Sequence, residues 1–407
     1  MVAEALKGLS YDYAIAPGLS PFDYSGLERV VKGPTAVRLL PRILRRASVD
    51  SLSPSKPAER ALDEAVVSRV FEEVFEEIAA RAVWVEASDA RVPKRPPPIA
   101  VLSDIYVEPP ADAERVAREA EYRVWAGADA VVLSFDYSLG SRDVLRVVER
   151  VLDSIEAPVA VDSPSLDAVA EAVEAGASVA MSFTADTLLE AVARLGDEVF
   201  YVVIPRELGD WRLRARELAR VCELASKASL SVILDPVMQP PLSPGSLESL
   251  LAARALSSEE ACRDYPVMLG LNNAIELADV DTHASTAILT FLAAEAGASL
   301  VMVGEESYKA RASTLEAKIA AAMASAALYL RSPPKDMPLN LLPYKSKSPP
   351  EGVSYLGSGV FEKAGGRVDC REESVGELCK YWSVRESWRR LLGKYSTLFR
   401  LKREQRG

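Results

Sequence analysis

Between residues 99 and 330 the chain alternates eight times between a short apolar run and a longer amphipathic one. The short runs are IAVLS, DAVVLSF, PVAVDS, SVAMSF, EVFYVVIP, SVILD, VMLGL and SLVMVG. The longer ones cover about 112–126, 142–155, 165–175, 187–195, 210–228, 246–261, 281–296 and 313–330, with Gly127, Gly176 and Gly297 as helix stops. Strands that alternate with helices pair in parallel, because each crossover returns the chain to the same end of the sheet. Eight such units in about 230 residues are what a closed (β/α)8 barrel needs. The rival is a doubly wound open sheet, which normally carries a glycine-rich phosphate loop after its first strand. Neither GxGxxG nor GxxxxGK[ST] occurs here. The expected fold is therefore α/β, a (β/α)8 TIM barrel.

The flanks read differently. Residues 1–95 form a small N-terminal α/β domain, with a strand at 12–16, helical spacing at 57–82 and a strand at 82–87. The proline-rich RVPKRPPP at 91–98 marks the boundary. The barrel takes 96–332. A C-terminal extension of α+β type takes 333–407, with a hairpin at Ala364-Gly365-Gly366 and a helix near 373–392. A net charge of −11 argues against nucleic acid as a partner. No run of about 18 apolar residues points to a membrane, and the first residues do not read as a signal peptide. A cytoplasmic location is expected. Four cysteines without a CxxC pair, and a single histidine, argue against zinc. Cys370 and Cys379 would pair in a hyperthermophile, although free thiols are the simpler reading. Few amides beside many Glu, Arg, Ala and Pro suit a thermophile.

In a barrel of this kind, active sites are built at the C-terminal strand ends. Here those ends are polar. They carry Asp104, Asp162, Ser182, Asp235 with Gln239 close behind, and Asn272-Asn273; the loop after the eighth strand carries Glu305, Glu306, Lys309 and Arg311. The whole chain holds three Asn, two Gln and one His, and four of these six residues lie between 229 and 311. Carboxylates accept paired N–H groups, and an Asn amide donates and accepts together. Beside Met181, Phe183 and Met238, such a set suits a flat heterocycle with amino and amide edges. Strand-end Asp and Asn-Asn also serve as helix caps and turns. Lys309 and Arg311 are the basic residues nearest the eighth strand end, and either they hold an anion or they pair with Glu305 and Glu306.

GADAVVLSF followed by PVAVDSPSLDAVAEAVEAGASV, with Asp162 ending the third strand and Asp235-Pro236 the sixth, resembles the dihydropteroate synthase family. YDYAIAPGLS, VVKGPTA and GLNNAIELADVDTHAST resemble its archaeal members. The resemblance covers about residues 10–345. It implies a TIM barrel that binds a pterin at its top, with Asp162 and Asp235 matching the family's strand-end Asp residues. The polar strand ends add Ser182, which stands where the family has Asn-Asp, with Gln239, Asn272 and Asn273 as pterin contacts, and Asp104 as a further strand-end candidate. The resemblance also implies a transferase joining a dihydropterin methyl diphosphate to an aryl amine, with magnesium accompanying the diphosphate, and a homodimer, dimers being common in that family. The family's Asn-bearing loop after strand 1, Lys after strand 7 and RxH after strand 8 are replaced by Ser103-Asp104, Asn272-Asn273-Ala274 and Met302-Val303-Gly304. The catalytic anion contact therefore falls to Lys309 and Arg311. GLNNA also resembles the related pterin-dependent methyltransferases, in which Asn273 would lie near the methylated nitrogen. A non-catalytic pterin-binding protein is the third reading.

Overall fold

Alternation with period two decides what each barrel strand contributes. Along the first barrel strand, Ala100 and Leu102 face the lumen with Val132, Ala160, Val179, Phe200, Ile233, Met268 and Leu300. Val101, Ile105 and Val107 face outward and pack with the helices. Runs apolar on both faces are what a buried parallel sheet requires.

The computed structural model describes Glu4, residues 6–342, and the backbone of three short strands, Ser354–Gly357, Val360–Lys363 and Gly366–Asp369. The chain opens with β1 (Ala14–Ala16) parallel to β2 (Val30–Lys32). The helices α1 (Leu40–Leu44), α2 (Ala58–Ala61) and α3 (Glu64–Arg81) follow. A hairpin comes next, β3 (Trp84–Ala87) against β4 (Ala90–Pro93). Its second strand falls inside the stretch read from sequence as linker, because Val92 and Ala90 are buried.

The barrel strands are β5 (Ala100–Val107), β6 (Ala130–Phe135), β7 (Val159–Asp162), β8 (Val179–Phe183), β9 (Phe200–Val203), β10 (Val232–Leu234), β11 (Met268–Gly270) and β12 (Leu300–Gly304). Between and after them lie α4 (Ala113–Ala126), α5 (Ser141–Leu152), α6 (Leu166–Ala175), α7 (Ala185–Leu195), α8 (Trp211–Ala228), α9 (Ser246–Ser258), the short α10 (Asn272–Glu276), α11 (Thr282–Ala296) and α12 (Ser313–Leu330). All eight barrel strands pair in parallel, in the order β10-β9-β8-β7-β6-β5-β12-β11. One bridge, Leu234 to Val267, closes the ring. The expected eight-stranded parallel barrel is therefore what forms. The hairpin expected at 364–366 is present as β14 (Val360–Lys363) against β15 (Gly366–Asp369), after β13 (Ser354–Gly357). The helix expected at 373–392, with Cys370 and Cys379, lies outside the described residues.

The N-terminal segment packs on the foot of the barrel. Val70, Phe71, Val74 and Ile78 of α3 share one apolar cluster with Ile319, Met323 and Leu330 of α12 and with the lumen residues. The helix α12 has fifteen of its eighteen residues buried, so it is enclosed on every side, as its run of alanines allows. Inside it, the Lys318 ammonium donates to both carboxylate oxygens of Asp129, at 2.6 and 2.8 Å. No helix among the described residues is long and apolar enough to cross a membrane.

Cys222 of α8 and Cys262, just after α9, are joined by a disulfide across 40 residues of sequence. Nothing in the cysteine spacing signals that pairing, because the fold alone brings α8 and the end of α9 together. Constraining a loop of this length removes unfolded-chain entropy worth about 4 kcal/mol. Reduction, or Cys222→Ser with Cys262→Ser, is expected to lower the unfolding free energy from urea denaturation by roughly 2–4 kcal/mol. An unchanged midpoint would show that this staple does not hold the native state.

Candidate functional site

The lumen-facing parity that carries apolar residues through the barrel turns polar at the top. Two residues above Leu102, Val132, Ala160 and Ile233 stand Asp104, Ser134, Asp162 and Asp235. Each therefore points into the same mouth. Cα pairing sets Asp162 beside Ser134 and Met181, and Asp104 beside Gly304. β5 runs on to Val107, past the end expected at Ser103-Asp104, because Ile105 and Val107 are held in the outer apolar layer. Asp104 is thus part of a strand, not of a loop.

The three carboxylates sense one another. Burial pushes Asp104 up to about 7; the Ser134 hydroxyl, donating at 2.6 Å, opposes this, and Glu306 and Asp162 add to it. Burial likewise pushes Asp235 up to about 7, against the Val237 N–H that donates to it at 2.8 Å, with Asp162 adding repulsion. Asp162 is raised by burial and eased by the Ser182 hydroxyl. The mouth therefore holds mutually repelling acids with accepting oxygens, eased at Asp104 by the more distant Arg123, a common sign of a functional pocket.

The amides behave otherwise. Asn272 accepts from the Gly304 N–H at 2.5 Å, tying β11 to β12, and Asn273 donates to the Met238 carbonyl at 3.0 Å. Both belong to α10, a short helix that the sequence reading did not contain. Gln239 is buried, with its backbone N–H donating to Ser249 Oγ at 3.0 Å.

Lys309 does not face the mouth as a free cation. Its ammonium donates to the carbonyls of Ile275, Glu276 and Ala278 at 3.0, 2.9 and 2.6 Å. All three donors of an ammonium are thereby used. Lys309 caps the C-terminus of α10, where a cation is favoured, and has nothing left for an anion. Arg311 is exposed and stacks over the Tyr308 ring, 5.0 Å from its centre. Glu305 does not pair with Lys309 or Arg311. Its carboxylate accepts from the N–H groups of Ala312 (2.8 Å) and Thr314 (3.1 Å) and lies 3.3 Å from Arg123. The N-terminus of the last barrel helix, where TIM barrels often seat phosphate, is thus filled by the chain's own carboxylate.

Arg311 lines a cavity of about 760 Å³ between the loops after β5 and β12, together with Arg115 and Arg118 of α4 and with Glu306. Arg123 neutralises Glu119 and Glu305 in its wall, at 2.7 and 3.3 Å. The sequence reading missed Arg115, Arg118 and Arg123. Their signal was a spacing of i, i+3, i+8, which puts all three on one face of α4. Among the described residues, no three His, Cys, Asp or Glu side chains are grouped to hold a metal.

No protein-family model matches the chain. An uncharacterized protein of Methanocaldococcus jannaschii is 25% identical over 366 residues, which cover 85% of this chain and 68% of that protein. Solved structures similar to this one include three dihydropteroate synthases. The Yersinia pestis enzyme, complexed with a sulfonamide drug, is 15% identical with a TM-score of 0.49, covering 60% of this chain and 99% of that one. The Thermus thermophilus enzyme, complexed with 6HMPPP, is 23% identical with a TM-score of 0.46, covering 57% and 96%. The Coxiella burnetii enzyme, complexed with pteroic acid, is 20% identical with a TM-score of 0.46, covering 60% and 99%.

Acids whose folded pKa is raised release their protons later in the native state than in the unfolded chain. Their stability contribution is full below the unfolded value near 4 and is lost as pH rises through about 7. Thermal denaturation is therefore expected to give a higher Tm at pH 5 than at pH 8. Glu59, also pushed to about 7 by burial, adds to this slope. Asp235→Asn should flatten it; a Tm that rises from pH 5 to 8 would contradict the protonation pattern.

Proposed function

We propose that the barrel mouth binds the amino-pyrimidine edge of a dihydropterin and that the protein transfers its methylene group onto an aryl amine, as dihydropteroate synthases do. The observation that carries the reading is the convergence of the half-buried Asp162 and the buried, mutually repelling Asp235 in a mouth that the lumen-facing Met181 lines. Such carboxylates gain from a partner that presents paired N–H donors on a flat ring. Asp235, the more deeply buried, takes the amino and ring N–H pair. Asp162 and Ser182 take the adjoining edge.

In the reaction, the amine nitrogen bonds to the pterin methylene carbon. The carbon–oxygen bond to diphosphate breaks, and its electron pair leaves with the oxygen. We assign acceptance of the amine proton to Asp104, which feels both Asp162 on the pterin side and Glu306 on the cavity side. The diphosphate needs positive charge aimed at its oxygens. Lys309 and the helix N-terminus behind Glu305 are both engaged, so we assign that role to Arg311 with Arg115 and Arg118. Magnesium would enter as the counter-ion of the diphosphate, which is how this ion usually binds beside phosphates.

Methyl transfer is the less favoured reading, because the Asn273 amide that would serve the methylated nitrogen donates to Met238 instead.

Two measurements test the proposal. Asp235→Asn removes a charge-assisted pair worth about 1.5–3 kcal/mol, so calorimetric pterin affinity should fall by tenfold or more with the fold intact. Incubation with dihydropterin methyl diphosphate, magnesium and an aryl amine should release diphosphate, and Arg118→Ala with Arg311→Ala should slow release at least tenfold. Pterin binding without release from any aryl amine would reduce the protein to a pterin binder; tighter binding of methyltetrahydropterin would favour methyl transfer.

A further inference from the structure

The loop that carries Asp235 is held by an arginine whose donors go to carbonyl and hydroxyl oxygens. Arg214 lies on α8 with only 1% of its surface exposed. Among the described residues it makes no ion pair. Its guanidinium donates to the carbonyls of Leu208 (3.1 Å) and Gly209 (2.9 Å), which follow β9. It also donates to the carbonyls of Pro236 (3.3 Å) and Val237 (3.1 Å), which follow β10, and to Ser249 Oγ of α9 at 3.1 Å. Ser249 completes the clamp by donating to the Val237 carbonyl at 2.9 Å and accepting from the Gln239 N–H at 3.0 Å.

What the clamp holds is an unfavourable conformation. Val237 has φ of +60°, which a β-branched residue adopts only when its surroundings impose it. In that conformation its N–H turns back onto Asp235 Oδ1. A guanidinium buried without a carboxylate is costly, and here its donors converge on two adjacent strand-end loops.

We infer that Arg214, with Ser249, is the positioning residue for Asp235: it fixes the loop so that the carboxylate stays at the barrel mouth and presents its free oxygen to the ligand. The ligand half of this statement rests on the pterin reading above; the positioning half does not. The charged groups around Asp235 are Asp162 and, beyond it, Asp104, while Glu248 faces Arg214. Asp104 is anchored by Ser134 on the far side of the mouth and serves as the internal control.

The experiment is a carboxyl ¹³C titration of the full chain labelled at aspartate, with Asp235 and Asp104 assigned from their Asn variants. In Arg214→Lys, whose ammonium cannot span both loops, the Asp235 midpoint should fall toward the ordinary carboxylate range while that of Asp104 stays. If Arg214→Lys does not fold, Ser249→Ala removes the other half of the clamp and should move Asp235 in the same direction by less. Neither residue moving, or both moving together, would overturn the inference. Calorimetry with dihydropterin supplies the second arm. Arg214→Lys should weaken binding about tenfold, and adding it to Asp235→Asn should cost no more than Asp235→Asn alone, as two changes acting through one group do. Additive losses would show that Arg214 does not act through Asp235. Absence of dihydropterin binding by the unaltered protein would sink the pterin reading and the ligand half of this inference with it, while the titration still decides the positioning.

Discussion

A charge removed from water must find partners inside the protein or the fold will not hold it. Among the described residues, Arg123, Arg214 and Lys318 are buried to 1% exposure or less, and each fixes where elements meet. Lys318 locks the last barrel helix to Asp129, which also accepts from the Val101 N–H at the start of the first barrel strand. Arg123 joins the first barrel helix to the loop after the eighth strand through Glu305. Arg214 joins the loops after the fifth and sixth strands. The carboxylates of the mouth are the exception. They face one another half-buried or buried, with hydroxyls and one backbone N–H as hydrogen-bond partners and Arg123 easing Asp104 from a distance. Here like charges face one another across the barrel mouth, whereas the three buried cations each meet opposite charge or carbonyl oxygens.

The barrel was legible because two periodicities, two and 3.6, are written into the sequence by burial itself. Asp104, Asp162 and Asp235 were legible for the same reason, since they continue the lumen-facing parity of each strand. What periodicity does not encode is how a loop folds back. Lys309 looked like an anion ligand because it follows the eighth strand, yet the short helix at 272–276 offered its carbonyls first. Asn272 and Asn273 read as ligand amides, and each also ties neighbouring loops. Arg115 and Arg118 share a helix face that spacing alone shows, but an arginine on an amphipathic helix looks the same whether that face meets solvent or a cavity. The disulfide of Cys222 and Cys262 depends on two helices meeting in space. Val92 was hidden in a proline-rich run that reads as linker.

The enclosure of the last barrel helix has a consequence for how the molecule is made. The apolar face of Glu64–Arg81 is covered by Ser313–Leu330, and roughly 230 residues separate the two in the chain. At a synthesis rate of about 5–20 residues per second, that face leaves the ribosome roughly 10–50 s before its partner exists. The long helix of the N-terminal segment is thus among the last to be covered. Until translation reaches the far side of the barrel, Val70, Phe71, Val74 and Ile78 are surface for a chaperone to hold.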